Sequence, residues 1–228
     1  MHWYGLIIGI GMAVAISVAE RVSKGKLPLW SGLWYMIVPG IVGARMYHAI
    51  DQWEYYMTNS NELILIQNGG LGIWGGIIGA ILGLVVFAMI RAKRMEVKFA
   101  EEFFLLADIF ALVAPLGQAI GRWGNYANDE LWGVASGGSI WDKQPIFLYE
   151  SVLNIILFGV LYMMYKRRVR GSTFGGYLVG YGLIRVMLEP LRQNNWVVGE
   201  MAVAAVVGVG MMILGGIILV RRERKVWD

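Results

Sequence analysis

Between Gly121 and Gly133 the chain reads GRWGNYANDELWG, which sets Arg122, Asn125, Asn128, Asp129 and Glu130 at the edge of an apolar run. Arginine presents a planar fork of donors that matches the oxygens of a phosphate. Asn125 and Asn128 add neutral donors, and Gly121, Gly124 and Gly133 let backbone approach a ligand closely. Two readings are open for Arg122: an anion site, or an ion pair with Glu130 or Asp129 that locks a loop. A second group lies in YGLIRVMLEPLRQ, where Tyr181, Arg185, Glu189 and Arg192 follow at spacings of 4, 4 and 3 residues. At about 100° per residue these four form one helical stripe. An internal Arg185–Glu189 pair competes there with a ligand role, because buried charges need partners. Two arginines beside two carboxylates favour a site for an anionic lipid headgroup.

Other polar positions have plainer readings. Arg45, Tyr47 and His48 in GARMYHAIDQW close an apolar run and are expected to pair with Asp51 or with a helix end. Asp108 is expected to satisfy a buried donor. Tyr149 and Glu150 open the fifth apolar run, and Trp3 and Tyr4 read as interfacial aromatics. His2 and His48 are far apart and make a weak case for a metal site. The chain has no cysteine, which excludes disulfides, thiolate metal sites and a thiol nucleophile of its own.

The elements that hold these groups follow from composition. Of 228 residues, 57% are hydrophobic and 16% charged, against about a quarter charged in a soluble domain. Roughly 20 apolar residues cross a bilayer as a helix. Seven stretches qualify, near 3–20, 30–50, 71–90, 102–122, 146–165, 174–193 and 200–220. Basic residues set orientation. Arg21, Lys24 and Lys26 follow the first stretch, Arg91, Lys93, Arg94 and Lys98 the third, and Lys166, Arg167, Arg168 and Arg170 the fifth. Arg221, Arg222, Arg224 and Lys225 close the chain. Asp51, Glu54, Glu62, Asp129, Glu130 and Asp142 fall on the opposite side. The expectation is an all-α polytopic membrane protein of about seven transmembrane helices, N-terminus outside and C-terminus cytoplasmic, in a single domain over 1–228. Trp3, Trp53, Trp123, Trp132 and Trp196 mark the outer interface, and Trp30, Trp34 and Trp227 the inner one. No cleavable signal peptide is expected, since no basic segment precedes the first apolar run.

The signature GRWGNYANDELWG resembles that of the prolipoprotein diacylglyceryl transferase family. HWYGLIIGIG, GARMYHAIDQW, NGGLGIWGGIIG, PIFLYE and GYGLIRVMLEPLRQ agree with the same family in order along the whole chain. The resemblance implies transfer of the diacylglyceryl group of phosphatidylglycerol to the lipobox cysteine of a prelipoprotein, with glycerol phosphate released. It implies a multi-pass enzyme of the bacterial cytoplasmic membrane that works at the outer face and needs no metal or nucleotide. Its partners would be phosphatidylglycerol, prelipoprotein signal peptides and membrane lipids; no nucleic acid is expected. The attacking thiol would belong to the substrate.

Carried over by residue, the resemblance puts the lipid-binding arginines at Arg122 and Arg185. It puts signature residues at Asn125, Asn128, Glu130 and Gly133, and further site residues at Tyr4, Tyr181 and Glu189. Trp74, in IWGG, stands where the family has a histidine, and is read as a wall of the lipid pocket. Two other departures are expected: no N-terminal outer arm, and a short segment before PIFLYE without the family's His-Pro and Gln. A transporter or flippase that carries an anionic substrate on Arg122 and Arg185 is the alternative from another class. A lipid-binding homologue that has lost catalysis is the third reading.

Overall fold

The computed structural model describes residues 3–65, 69–135, 142–193, 197–198 and 201–221. His2, Trp196, Trp227, Arg222, Arg224 and Lys225 lie outside them. Among the described residues the chain is almost wholly helical: α1 (Trp3–Ser23), α2 (Leu29–Asp51), α3 (Trp53–Thr58), α4 (Ile73–Met95), α5 (Phe99–Ala127), α6 (Ile146–Lys166), α7 (Ser172–Leu188) and α8 (Val203–Arg221). A 3-10 turn covers Ser60–Ile64 and another Glu189–Leu191. Two-residue strands Val197–Val198 and Met201–Ala202 pair antiparallel.

Each of the seven expected spans corresponds to a helix, but five of these are long and apolar enough to cross a membrane: α1, α4, α5, α6 and α8. The other two depart for different reasons. α7 has 17 residues and stops at Leu188, because Pro190 follows and cannot continue a helix. α2 is 23 residues long but holds Pro39, Arg45 and His48 among its aromatics. α5 is the longest, at 29 residues, and passes through Pro115. It runs beyond the expected 102–122 at both ends.

The chain divides into two compact units, Met1–Gly25 with Ala107–Asp228, and Lys26–Leu106. In the second unit α2 and α4 pack antiparallel through small residues. A Cβ at Gly75 would strike the carbonyl of Gly43, one at Gly79 that of Pro39, and one at Gly83 that of Tyr35. In a membrane the backbones must approach closely to gain contact, since lipid is as apolar as the partner helix. Arg45 is buried in this unit and does not pair with Asp51. It donates to the carbonyls of Leu63 (2.8 Å), Gly69 (2.7 Å) and Gly70 (2.9 Å), and to that of Glu62. Arg45 thereby folds the segment after α3 back onto α2, a structural role.

The first unit is a set of antiparallel neighbours. α1 lies along α5, with Gly11 against Gly117, Ile8 against Gly121 and Tyr4 against Gly124. α7 and α8 meet at Gly182 and Gly208, where a Cβ on Gly182 would come 2.5 Å from the Gly208 carbonyl. On α6 the buried positions Phe147, Glu150, Ser151, Asn154, Leu157 and Leu161 recur with helical period, so one face turns inward and Glu150 turns with it. Asp108, 1% exposed, accepts from the backbone N–H of Gly171 (2.7 Å) and Phe174 (2.8 Å). It therefore caps the start of α7, and its charge is spent on orphan helix donors.

Candidate functional site

The site begins where α5 ends. Asp129 adopts φ 56°, its N–H bonds to the carbonyl of Tyr126 (3.0 Å), and the N–H of Glu130 bonds to that of Asn125 (2.8 Å). This is a left-handed helix cap with the Schellman pattern. It turns the chain back, so that Glu130 returns to the helix that it has just left. The Glu130 carboxylate accepts from Asn125 Nδ2 (3.3 Å) and Asn128 Nδ2 (3.4 Å). One turn earlier, Arg122 donates through Nη1 to Asn125 Oδ1 (3.2 Å) and through Nη2 to Glu150 Oε1 (2.6 Å). The carboxylate that Arg122 meets is thus Glu150, where the sequence offered Glu130 or Asp129.

Glu150 has no exposed surface. Besides Arg122 it receives Arg192 Nη2 at 3.0 Å and the Tyr181 hydroxyl at 3.3 Å, and Arg185 Nη1 stands 4.0 Å away. Glu189 adds a second carboxylate, 3.6 Å from Arg185 Nη2 and 3.9 Å from Arg192 Nε. Pro190 breaks the helical stripe, so Arg192 reaches the cluster from the segment after α7 rather than from the helix itself. That segment is held by backbone bonds. Val134 N–H donates to Leu191 (2.9 Å), Gly133 N–H to Gln144 (2.8 Å) and Gln144 N–H to Val134 (3.0 Å). Gly133 has no room for a side chain, since a Cβ would meet the Leu191 carbonyl, Gln144 Cβ at 2.7 Å and Ile146 Cδ1 at 3.0 Å.

Two properties define what this arrangement can hold. Three guanidinium groups face two carboxylates, which leaves the cluster with one net positive charge. The three arginine side chains nevertheless keep 17–21% of their surface exposed, so a ligand can reach that charge. The cluster therefore suits a singly charged ligand made of acceptors, which describes a phosphodiester. Among the described residues no group of three or more His, Cys, Asp or Glu forms a metal-binding set.

The family model described as prolipoprotein diacylglyceryl transferase matches residues 1–221. The chain belongs to the prolipoprotein diacylglyceryl transferase family. A phosphatidylglycerol–prolipoprotein diacylglyceryl transferase of Finegoldia magna is 32% identical over 98% of this chain and 92% of its own length. Proteins of the same name from Bacillus cereus (strain G9842) and Bacillus thuringiensis subsp. konkukian are each 35% identical, over 98% of this chain and 88% of theirs. The family is one of membrane transferases, and the chain's apolar helices agree with that.

Of the residues that the resemblance to prolipoprotein diacylglyceryl transferases singled out, all but Trp74 lie in the first unit. Arg122, Arg185, Glu189 and Tyr181 converge on Glu150, directly or through one another. Asn125, Asn128 and Glu130 form the adjoining hydrogen-bonded turn. Tyr4 lies against α5 at Gly124, where a Cβ would be 3.0 Å from its ring. Trp74 is half-buried at the second residue of α4, in the other unit. Sequence reasoning passed over Glu150, the hub, and used Arg192 only as a member of the helical stripe. The usable signals were PIFLYE, whose glutamate sits on the inward period of α6, and the surplus of arginine over acid in YGLIRVMLEPLRQ.

Proposed function

We propose that this chain transfers the diacylglyceryl group of phosphatidylglycerol to the lipobox cysteine of a prelipoprotein, at the outer face of the bacterial cytoplasmic membrane. The observation that carries the reading is the cluster's surplus positive charge, presented on three arginine side chains that remain partly exposed. Family membership supports transfer over transport. The same reading takes α2 and α7 as spans alongside the five apolar helices, with the N-terminus outside and one domain over the whole chain.

In this mechanism the substrate thiolate attacks the glyceryl carbon that bears the phosphate. A C–S bond forms as the C–O bond breaks, and the electron pair leaves on the oxygen of glycerol phosphate. The thiol proton passes to solvent or to a carboxylate. Arg122 and Arg185 hold the phosphate and stabilise the charge that grows on the leaving group, and Arg192 joins them. Glu189 holds Arg185 and Arg192. Asn125 and Asn128, themselves fixed by Glu130, orient the headgroup, with Tyr4 and Tyr181 at its edge. Gly133 acts by keeping the Leu191–Arg192 backbone in place. A free thiol with pKa about 8.5 is a few per cent thiolate at neutral pH, and nearby arginines raise that share.

The test is transfer in membranes of phosphatidylglycerol labelled in its glyceryl and acyl moiety to a lipobox peptide, with a Cys-to-Ser peptide as control. Label on the cysteine peptide alone supports the reading. Movement of intact lipid between leaflets would support the transporter, and binding without either would mark a homologue without catalysis.

A further inference from the structure

A carboxylate at the focus of an anion site works against the site. Glu150 has no exposed surface, and it cancels one of the three positive charges it meets. A pocket built only to grip phosphate would bind more tightly without it. The reaction, however, changes the charge on phosphorus. The donor lipid is a diester with one negative charge. Cleavage of the C–O bond yields a monoester, which carries about −1.5 to −2 at pH 7. Resting on the reading that the cluster holds the donor phosphate, we propose that Glu150 is a specificity-determining residue: it sets the cluster to one net positive charge, so that the diester is held and the glycerol phosphate product is let go.

The physical basis is compensation in a dry interior. A diester neutralises the cluster. A dianionic monoester leaves a buried negative charge without a counter-charge, and a low dielectric makes that costly. Replacing Glu150 by Gln keeps the shape and one acceptor oxygen, turns the other oxygen into an NH2 donor, and raises the cluster to two positive charges. The preference then inverts, and the product becomes the ligand that neutralises the site. Replacing it by Asp keeps the charge and shortens the reach.

The experiment measures the binding of glycerol phosphate to purified protein in detergent by thermal shift, and its inhibition of transfer. Glu150→Gln should bind glycerol phosphate at least tenfold more tightly than the unmodified chain. Its turnover should fall while its KM for phosphatidylglycerol does not. Glu150→Asp should stay within about threefold of the unmodified chain in product binding, whatever its turnover. The double variant Glu150→Gln with Arg192→Gln, which restores the net charge, should return to weak product binding. If Glu150→Gln does not fold, Arg192→Gln alone carries the test. It should weaken glycerol phosphate binding by a larger factor than it raises the KM for phosphatidylglycerol. Equal product binding in Glu150→Gln and the unmodified chain, like behaviour of the Gln and Asp variants, or equal factors in Arg192→Gln would overturn the proposal. An unmodified chain that transfers nothing from phosphatidylglycerol would sink the functional reading instead.

Discussion

Trp74 stands where the resemblance would place a histidine, and an indole N–H can donate but cannot take a proton. If the reaction needed a base there, Trp74→His would accelerate transfer and add a pH limb near the histidine value of about 6.5. We expect a change of less than about tenfold and no new limb, because the arginine cluster already favours the thiolate. Trp74→Ala should cost more than Trp74→His, since it removes a large half-buried ring. A pH–rate profile of the three proteins on a lipobox peptide decides this; a large histidine-dependent gain would mean that the chain is impaired or prefers another substrate. Charged residues are conspicuous in an apolar chain, which is why Arg122, Arg185 and Glu189 could be singled out from sequence. Glu150 carries a weaker signal, its place on the inward period of α6. A glutamate near a helix start is ordinary, and its partners arrive from α5, α7 and the segment after α7, which no local spacing reveals.

Elements were legible in proportion to their periodicity. The seven apolar runs correspond to helices because a membrane-length hydrophobic stretch has few other ways to satisfy its backbone. The pieces that complete the site are aperiodic: the left-handed cap at Asp129, the bonds joining Gly133 and Val134 to Gln144 and Leu191, and the turn at Pro190. Their geometry depends on partners distant in sequence. Gly133 shows the consequence most directly. Gly133→Ala puts a methyl group into the Leu191 carbonyl and the Gln144 side chain, so the segment that carries Arg192 must move. We expect a loss of tenfold or more in transfer together with a lower thermal midpoint in detergent. Normal activity in this variant would show that the position of Arg192 is not held through Gly133.

For the whole molecule, the distribution of basic residues predicts sidedness, and the absence of cysteine makes that prediction simple to check. A membrane-impermeant maleimide applied to intact cells should label Glu54→Cys and spare Lys98→Cys and Arg167→Cys, all three being exposed positions. Disrupted cells should label all three. The reverse pattern would put the N-terminus inside and the arginine cluster at the wrong face for a secreted acceptor. The central claim is that the cluster around Glu150 performs the transfer, and Arg122→Ala tests it most directly. Assayed on labelled phosphatidylglycerol and a lipobox peptide, at matched membrane insertion and extraction, the variant should lose at least about a hundredfold in rate, as expected for deletion of one transition-state donor. Arg122→Lys should recover little of it, because a point charge cannot reproduce two donors in a plane. A well-inserted Arg122→Ala protein that transfers at near the unmodified rate would contradict the account.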